Sequence, residues 1–446
     1  MDWKDNIEWE TLDSGELKAL LADIPLADLL EDWDSFSDEE AIRIFIHLDP
    51  ETKVDVINEL SNTKQETLLT LLSERHLKQL MAEMEPDDVT DFLQEMSPEI
   101  RKSVWDNLSD ELRTETLFLL RFDEDDAAGL MTPRYLAIRG NVSVHQALQF
   151  VRRNAEKVEA FYSVYVVDEL QRLLGVISLQ ELLGAGDDTI VKDIMDTQFA
   201  SVREDTDQEE AAQILETYDL TSLPVVNSHN KLLGVITFDD IIDVIREEHT
   251  EDTYKMGAMT GNAGRYLDTS IMGMVKKRVP WLVILLLLGT VTTTVLDHYQ
   301  ASFLGMSFLI LFIPVITQTG GNSGNQASTL MIRGLATGEL HTRDTGKVLI
   351  KEIAIGLIMG IVTGLVIVLR SWLMPPGVSL FEALVIGMSL SFVVIFATVI
   401  GALAPMVISK MGFDPTVMSG PLMSTVIDVC GLTIYFETAR RLLNLG

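Results

Sequence analysis

SFLILFIPVITQTGGNSGNQAS, residues 307–328, joins two chemistries in one segment. Ser307–Ile316 is almost wholly apolar and suits a helix in hydrocarbon. Thr317–Ser328 then sets Gly320, Gly321 and Gly324 among Asn322, Asn325 and Gln326. Glycines weaken a membrane helix, and carboxamides do not belong against lipid. Non-helical backbone is tolerated at membrane depth only where it lines a watery cavity. The stretch therefore predicts a span that breaks part-way, with carbonyls freed to face a hydrated cation. Close packing through small residues is the other use of such glycines, but it does not explain the amides.

Working outward, five apolar segments lie at about 278–296, 303–322, 347–369, 381–408 and 421–443. Each is near the roughly 20 residues that a helix needs to cross hydrocarbon. Gly356, Gly360 and Gly364 recur every fourth residue of the third, a spacing for helix contact with no transport role. Lys276, Lys277, Arg278, Arg333, Arg343, Lys347 and Lys410 fall on one side; Arg370, Arg440 and Arg441 fall on the other. The basic excess places the first side in the cytoplasm. With five crossings the C-terminus then faces out, although Arg440 and Arg441 pull against that orientation.

The 446-residue chain is 47% hydrophobic, yet its 67 acids outnumber 34 bases, for a net charge of −33. The conflict resolves when the chain is cut. From Ile271 onward there are eight acids and eleven bases, so residues 1–270 carry −36. Such a region repels nucleic acid and anionic lipid and attracts cations. Nucleic acid is excluded as a partner. The single Cys430 permits no intrachain disulfide, and zinc-type Cys/His spacings are absent. MDWKDNIEWE at the start is acidic without an apolar run, so no cleaved signal peptide is expected. No Ser/His/Asp order, HExxH or phosphate loop stands out, and enzyme activity is not expected.

Two repeats organise the acidic region. Residues 48–72 align without gaps on 84–108, an offset of 36, with Pro50/Pro86, Asp55/Asp91 and Glu59/Glu95 superimposed. Acid-proline openings start helices, and helix pairs at this period stack as an α-solenoid, predicted over 1–128. Further on, LLGVISLQELL (173–183) matches LLGVITFDDII (232–242), and MTPRYLAI from Met131 matches MDTQFASV from Met195. Each unit reads as helix, two short strands split by a turn, then helix. These units resemble a tandem pair of CBS domains, taken here as 129–248. The resemblance implies ATP or another adenine nucleotide at the pair, with Asp239 where such modules hold a ribose; a helix N-cap is its other reading. A charged helix beginning near 239 (DDIIDVIREEHTEDTYKM) leads through 249–270 to the apolar part, 271–446.

Within the last span Asp428 stands in PLMSTVIDVCG, where a carboxylate is costly unless it faces water or a cation. A pairing with Lys351, or a protonated acid between helices, are its structural alternatives. The full order of parts resembles the MgtE magnesium channel family, most specifically in PVITQTGGNSGNQ (314–326) and DPTVMSGPLMSTVIDVCG (414–431). The fold class is thus a multidomain α-helical membrane protein: α-solenoid, α/β CBS pair, connecting helix and five spans. The resemblance implies a homodimer in the cell membrane with N-terminal domains in the cytoplasm. It implies a pore where Asp428 binds hydrated Mg²⁺, helped by Ser424 and the backbone of Gly321 and Gly324. Asp414 lies at the cytoplasmic entrance, and the Asn of some relatives is Gly420 here. Mg²⁺ prefers oxygen ligands and sheds water reluctantly, which suits a carboxylate and carbonyls without histidine or thiol. A coupled divalent-cation transporter, a CBS-bearing chloride channel and a nucleotide-regulated membrane protein are the other readings. In the chloride channels CBS modules follow the membrane part, and Asp428 suits anions poorly.

The remaining acids supply a sensor. They are Glu59, Asp91 and Glu95 on the solenoid; Asp207, Glu209, Glu216 and Asp219 in the second CBS unit; and Asp240, Asp243, Glu247, Glu248, Glu251 and Asp252 on the connecting helix. A solvated surface explains any one of them, but −36 far exceeds the magnitude of about 2–8 that solubility asks of a small domain. The resemblance implies that cytosolic Mg²⁺ bridges these acids and closes the pore.

Overall fold

The structure is a computed structural model that describes residues 13–158, 160–261, 266, 269–300, 307–375, 377–418 and 420–443. The acidic start at 1–12 and residues 303–306 of the second apolar segment lie outside the described residues. The chain forms two compact units, Met1–Glu248 and His249–Gly446.

The first unit opens with α1 (Ser14–Leu21), α2 (Leu26–Asp32) and α3 (Asp38–His47). Then come α4 (Pro50–Glu59), α5 (Asn62–Leu71), α6 (Glu74–Glu83), α7 (Pro86–Glu95), α8 (Pro98–Asn107) and α9 (Asp110–Leu119). From Pro50 a helix begins every twelfth residue. Leu60, Leu72, Met84, Met96 and Leu108 end successive helices in extended conformation, and all are buried. The next residue opens the following helix: the Ser73 hydroxyl accepts from the His76 amide, and Ser109 from Leu112. The 36-residue repeat therefore holds three ten-residue helices, not the expected pair. A joint of one buried apolar residue and one cap leaves room for the third. Helices pack mainly on the next but one, α4 on α6, α6 on α8 and α7 on α9.

The CBS part follows. β1 (Tyr135–Arg139) pairs parallel with β2 (Ala160–Val167), which pairs antiparallel with β3 (Leu173–Ser178). β4 (Val202–Arg203), β5 (Ser222–Val226) and β6 (Leu232–Thr237) repeat the order. α10 (Val144–Asn154), α11 (Leu179–Gly184), α12 (Gln208–Thr217) and α13 (Phe238–Met256) complete it. Both hairpin turns place one residue in the left-handed region, Gln171 at φ 62° and Asn230 at φ 59°. Asp168 and Asn227 brace them by accepting two turn amides each. The halves meet where the Tyr165 and Ser222 hydroxyls share a buried 2.7 Å hydrogen bond. Leu119, at the end of α9, sits in the core of the second half with Ala128, Leu223 and Ile236.

The second unit holds α14 (Ile271–Gln300), α15 (Ser307–Ala336), α16 (Thr345–Leu373), α17 (Leu380–Lys410) and α18 (Gly420–Leu442). Among the described residues, four helices are long and apolar enough to cross a membrane: α14, α16, α17 and α18. α15 is equally long, apolar over Ser307–Ile316 and polar beyond. α17 is the most buried, covered by α15, α16 and α18. Gly356 and Gly360 lie against Ile395 and Ser391 of α17, and the Ser391 hydroxyl donates to the Gly360 carbonyl at 2.7 Å.

The expected break in the second segment is corrected by this unit. α15 runs unbroken from Ser307 to Ala336, so its glycine-rich half is helical. The glycines serve contact instead. Gly320 meets Val393 and Ile427, and Gly324 meets Ile427 and the Ala397 carbonyl. Neighbouring helices supply the packing that outweighs low helix propensity.

Candidate cation sites

The polar half of α15 faces α18 along one seam. The Asn325 amide donates to the Ser424 hydroxyl at 3.0 Å, and the Ser328 hydroxyl donates to the Met418 carbonyl at 2.9 Å. Gly321 lies against Ser424, and Gly420 lies beside Asn325. The Asn325 carbonyl oxygen is buried without a partner. Asp428 follows Ser424 by one turn and is half-buried. Among the described residues it has no ion pair, and Lys351 is exposed on α16 rather than joined to it. The Gly324 carbonyl is turned onto Gly401 of α17. The expectation of freed carbonyls at Gly321 and Gly324 is thus replaced: the seam's oxygens come from side chains. An amide, a hydroxyl and a carboxylate form a hard, oxygen-only set, suited to the water shell of a small divalent cation.

At the start of this unit Lys255 lies between two acids, 2.9 Å from Glu251 and 2.7 Å from Asp414. Asp414 also accepts from the Thr416 amide at 2.8 Å and from its hydroxyl. Burial pushes the Asp414 carboxyl up, but Lys255 and Thr416 together hold it below its ordinary value. Asp252 is raised, by burial first and the Asp414 charge second.

The first unit contains an acidic cleft of about 420 Å³. Asp88, Asp91 and Glu95 of α7 form one wall; Asp240, Asp243 and Glu247 of α13 form the other, with Glu59 at the edge. Asn58 and Asn62 hydrogen-bond Asp88 and Glu95. Asp91 keeps access to the cleft's water. Enclosure, then the charges of Asp88, Glu95, Asp240 and Glu247, push it up to about 8. Enclosure and the charges of Asp239 and Asp88 push Asp240 up to about 7, against its bond from the Thr237 hydroxyl. Asp88 is raised to about 6, mainly by burial. Like charges across the cleft raise one another's carboxyls, a repulsion that a cation would relieve, while among the described residues no three acids already stand close enough to hold one ion.

The other expected sensor acids lie elsewhere. Asp207 caps α12 by accepting from the Glu209 amide, and Glu209 sits in that helix's first turn. Glu216 and Asp219 are exposed at its far end. Glu248 accepts from Gln208 at 2.7 Å, and Glu251 is committed to Lys255. Asp239 is exposed beside Asp240. Sequence reasoning missed Asp88, although its spacing from Asp91 and Glu95 puts it on the same helix face.

An oxygen-lined seam between apolar helices, carried with a large acidic region, defines a membrane transporter of divalent cations. Family models agree: "MgtE intracellular N domain" matches 24–125, "CBS domain" matches 127–188 and 191–247, and "Divalent cation transporter" matches 313–438. The magnesium transporter MgtE of Thermus thermophilus is 38% identical over 447 residues, covering 98% of this chain and 97% of that one. The magnesium transporter MgtE of Enterococcus faecalis is 36% identical over 321 residues, covering 72% and 70%. A solved cytosolic domain of the Mg²⁺ channel MgtE in complex with ATP is 38% identical with TM-score 0.51, covering 52% of this chain and 95% of that one. The chain belongs to the MgtE family, a family of magnesium transporters rather than enzymes.

Proposed function

We propose that this protein is a Mg²⁺ channel that imports the ion down its electrochemical gradient and is closed by cytosolic Mg²⁺. The carrying observation is Asp428, which has no ion pair among the described residues and lies one turn beyond the Asn325–Ser424 hydrogen bond. In this reading two copies pack about a two-fold axis, and each supplies one Asp428 to a shared path. Hydrated Mg²⁺ passes with its waters bonded to Asp428 and Ser424, and Asp414 stands at the cytoplasmic mouth. Each chain crosses the cell membrane five times, α15 included, with residues 1–270 in the cytoplasm and the C-terminus outside. The domains are 1–128, 129–248, the connecting segment 249–270 and 271–446. Among these acids, those at the cleft bind the closing ions; the other expected acids of α12 and α13 contribute only to the field. An adenine nucleotide binds the CBS pair, which the ATP-bound relative supports, and Asp239 is assigned to its ribose. The continuous α15 withdraws the broken-helix argument for a coupled transporter.

The test is Mg²⁺ flux into liposomes without a proton or sodium gradient. Asp428→Ala is expected to abolish it while the purified protein keeps a dimeric mass. Normal flux through that variant removes the pore assignment.

A further inference from the structure

Arg246 lines the acidic cleft, 2.9 Å from Asp243 on the same helix; a second arginine, outside the lining, joins two elements. Arg134 donates to Glu85 at 2.9 Å and, through two nitrogens, to Glu115 at 2.9 and 3.2 Å. All three side chains are about three-quarters buried. The two acids belong to different neighbours. Glu115 lies on α9, one turn before Leu119, whose side chain is sealed into the CBS core; α7 also packs on α9, and the Arg134 link ties α7 to the CBS pair beside that packing. Arg134 moves with the CBS pair, because Thr132 exchanges two backbone hydrogen bonds with Val235 of β6. Glu85 instead opens α7, the helix whose next turns carry Asp88, Asp91 and Glu95.

We propose that Arg134 is a permanent pivot: it pins the start of α7 to the CBS pair at every Mg²⁺ concentration, so the cleft opens and closes by rotation about the Glu85–Arg134–Glu115 link. This rests on the sensor reading above. Closure about a pinned edge brings two acidic walls together at a set distance, and Mg²⁺ has only to neutralise the free edge. Without the pin, α7 is held beside the CBS pair only by its packing on α9, and the ion must also fix its angle.

Charge alone and a pivot predict opposite signs for one variant. Arg134→Gln removes a positive charge and Glu85→Gln a negative one, so a pure field effect shifts their midpoints in opposite directions, whereas loss of a pivot raises both. The experiment titrates full-length protein with MgCl₂ alone and reads protease protection of residues 1–270. Glu85→Gln and Arg134→Gln are each expected to raise the midpoint roughly three- to tenfold with the saturating pattern unchanged. The double variant is expected to shift no further, because the two changes break one interaction. Arg134→Lys, which keeps the charge, is expected to fall in between. A lowered or unchanged midpoint in Glu85→Gln overturns the pivot, as does additivity in the double variant. Loss of protection by Arg134→Lys even at saturating Mg²⁺ overturns it too, since the residue would then serve folding. A parent protein with no Mg²⁺ response at all overturns the sensor reading and the pivot together.

Discussion

The acidic cleft and the α15–α18 seam both offer oxygen to a cation, by opposite means. The cleft crowds carboxylates from two walls and leaves them repelling one another. The seam holds one carboxylate among neutral oxygens already ordered by hydrogen bonds. A cleft of that kind gains most from an ion in its closed state, so it suits a switch whose population the ion shifts. A path must bind weakly enough to release, and a single charge per copy meets that need. Number of charges separates a sensor from a conduit.

The comparison breaks if charge is removed from the cleft without consequence. Replacing Asp240, Asp243 and Glu247 together by their amides takes the ion's ligands off one wall, and flux is expected to lose its dependence on millimolar Mg²⁺, which is expected to shut the parent. Liposome flux at graded Mg²⁺ on the cytoplasmic side checks this; a normally closing variant would show that the cleft is not the switch.

A smaller effect concerns pH in Mg²⁺-free buffer. Asp91 and Asp240 are raised with the two walls facing, to about 8 and about 7, so this arrangement binds more protons than one with the walls apart. Protonation favours closure: the contribution is full below the ordinary carboxylate range and is lost as pH rises through about 8. Protease protection without Mg²⁺ is therefore expected at mildly acidic pH and should fade on the alkaline side. Asp91→Asn should flatten the profile, and an opposite slope would count against repulsion as the opening force.

The seam's rear wall is sharpened by Gly401, where a methyl would strike the Gly324 backbone. Gly401→Ala is expected to destabilise the membrane unit by about 1–3 kcal/mol, seen as a lower melting temperature in detergent. Smallest of all, Ser424→Ala should reduce flux only a few-fold while Asp428 remains, since one neutral hydrogen bond contributes about 1 kcal/mol. A loss as complete as that of Asp428→Ala would make the hydroxyl an equal partner.

Much of this architecture was legible from sequence because its signals are local. LLGVI at 173 and again at 232 gives both β3 and β6, and the turn residues between strands mark the hairpins. The 36-residue offset was legible too, but its division into three helices was not. Two-residue joints such as Leu60–Ser61 and Leu72–Ser73 carry no glycine or proline, so they read as continuous amphipathic chain. The seam failed for a different reason. Whether Gly324 breaks a helix or seats one depends on Ala397, Gly401 and Ile427, all more than seventy residues away. Composition offers no register between distant helices. Arg134 escaped notice for the same cause: Glu85 and Glu115 become its partners only once α7 and α9 are folded beside it.

α13 has a mechanical consequence. Asp240 and Glu247 stand on the same helix, and a rise of 1.5 Å per residue separates them along its axis by about 10 Å. No glycine or proline interrupts Phe238–Met256. Asp240, Asp243 and Glu247 therefore keep their spacing and meet an ion as one wall, like the teeth of a comb. A floppy segment with the same charges would have to be ordered by the ion, at a cost in entropy.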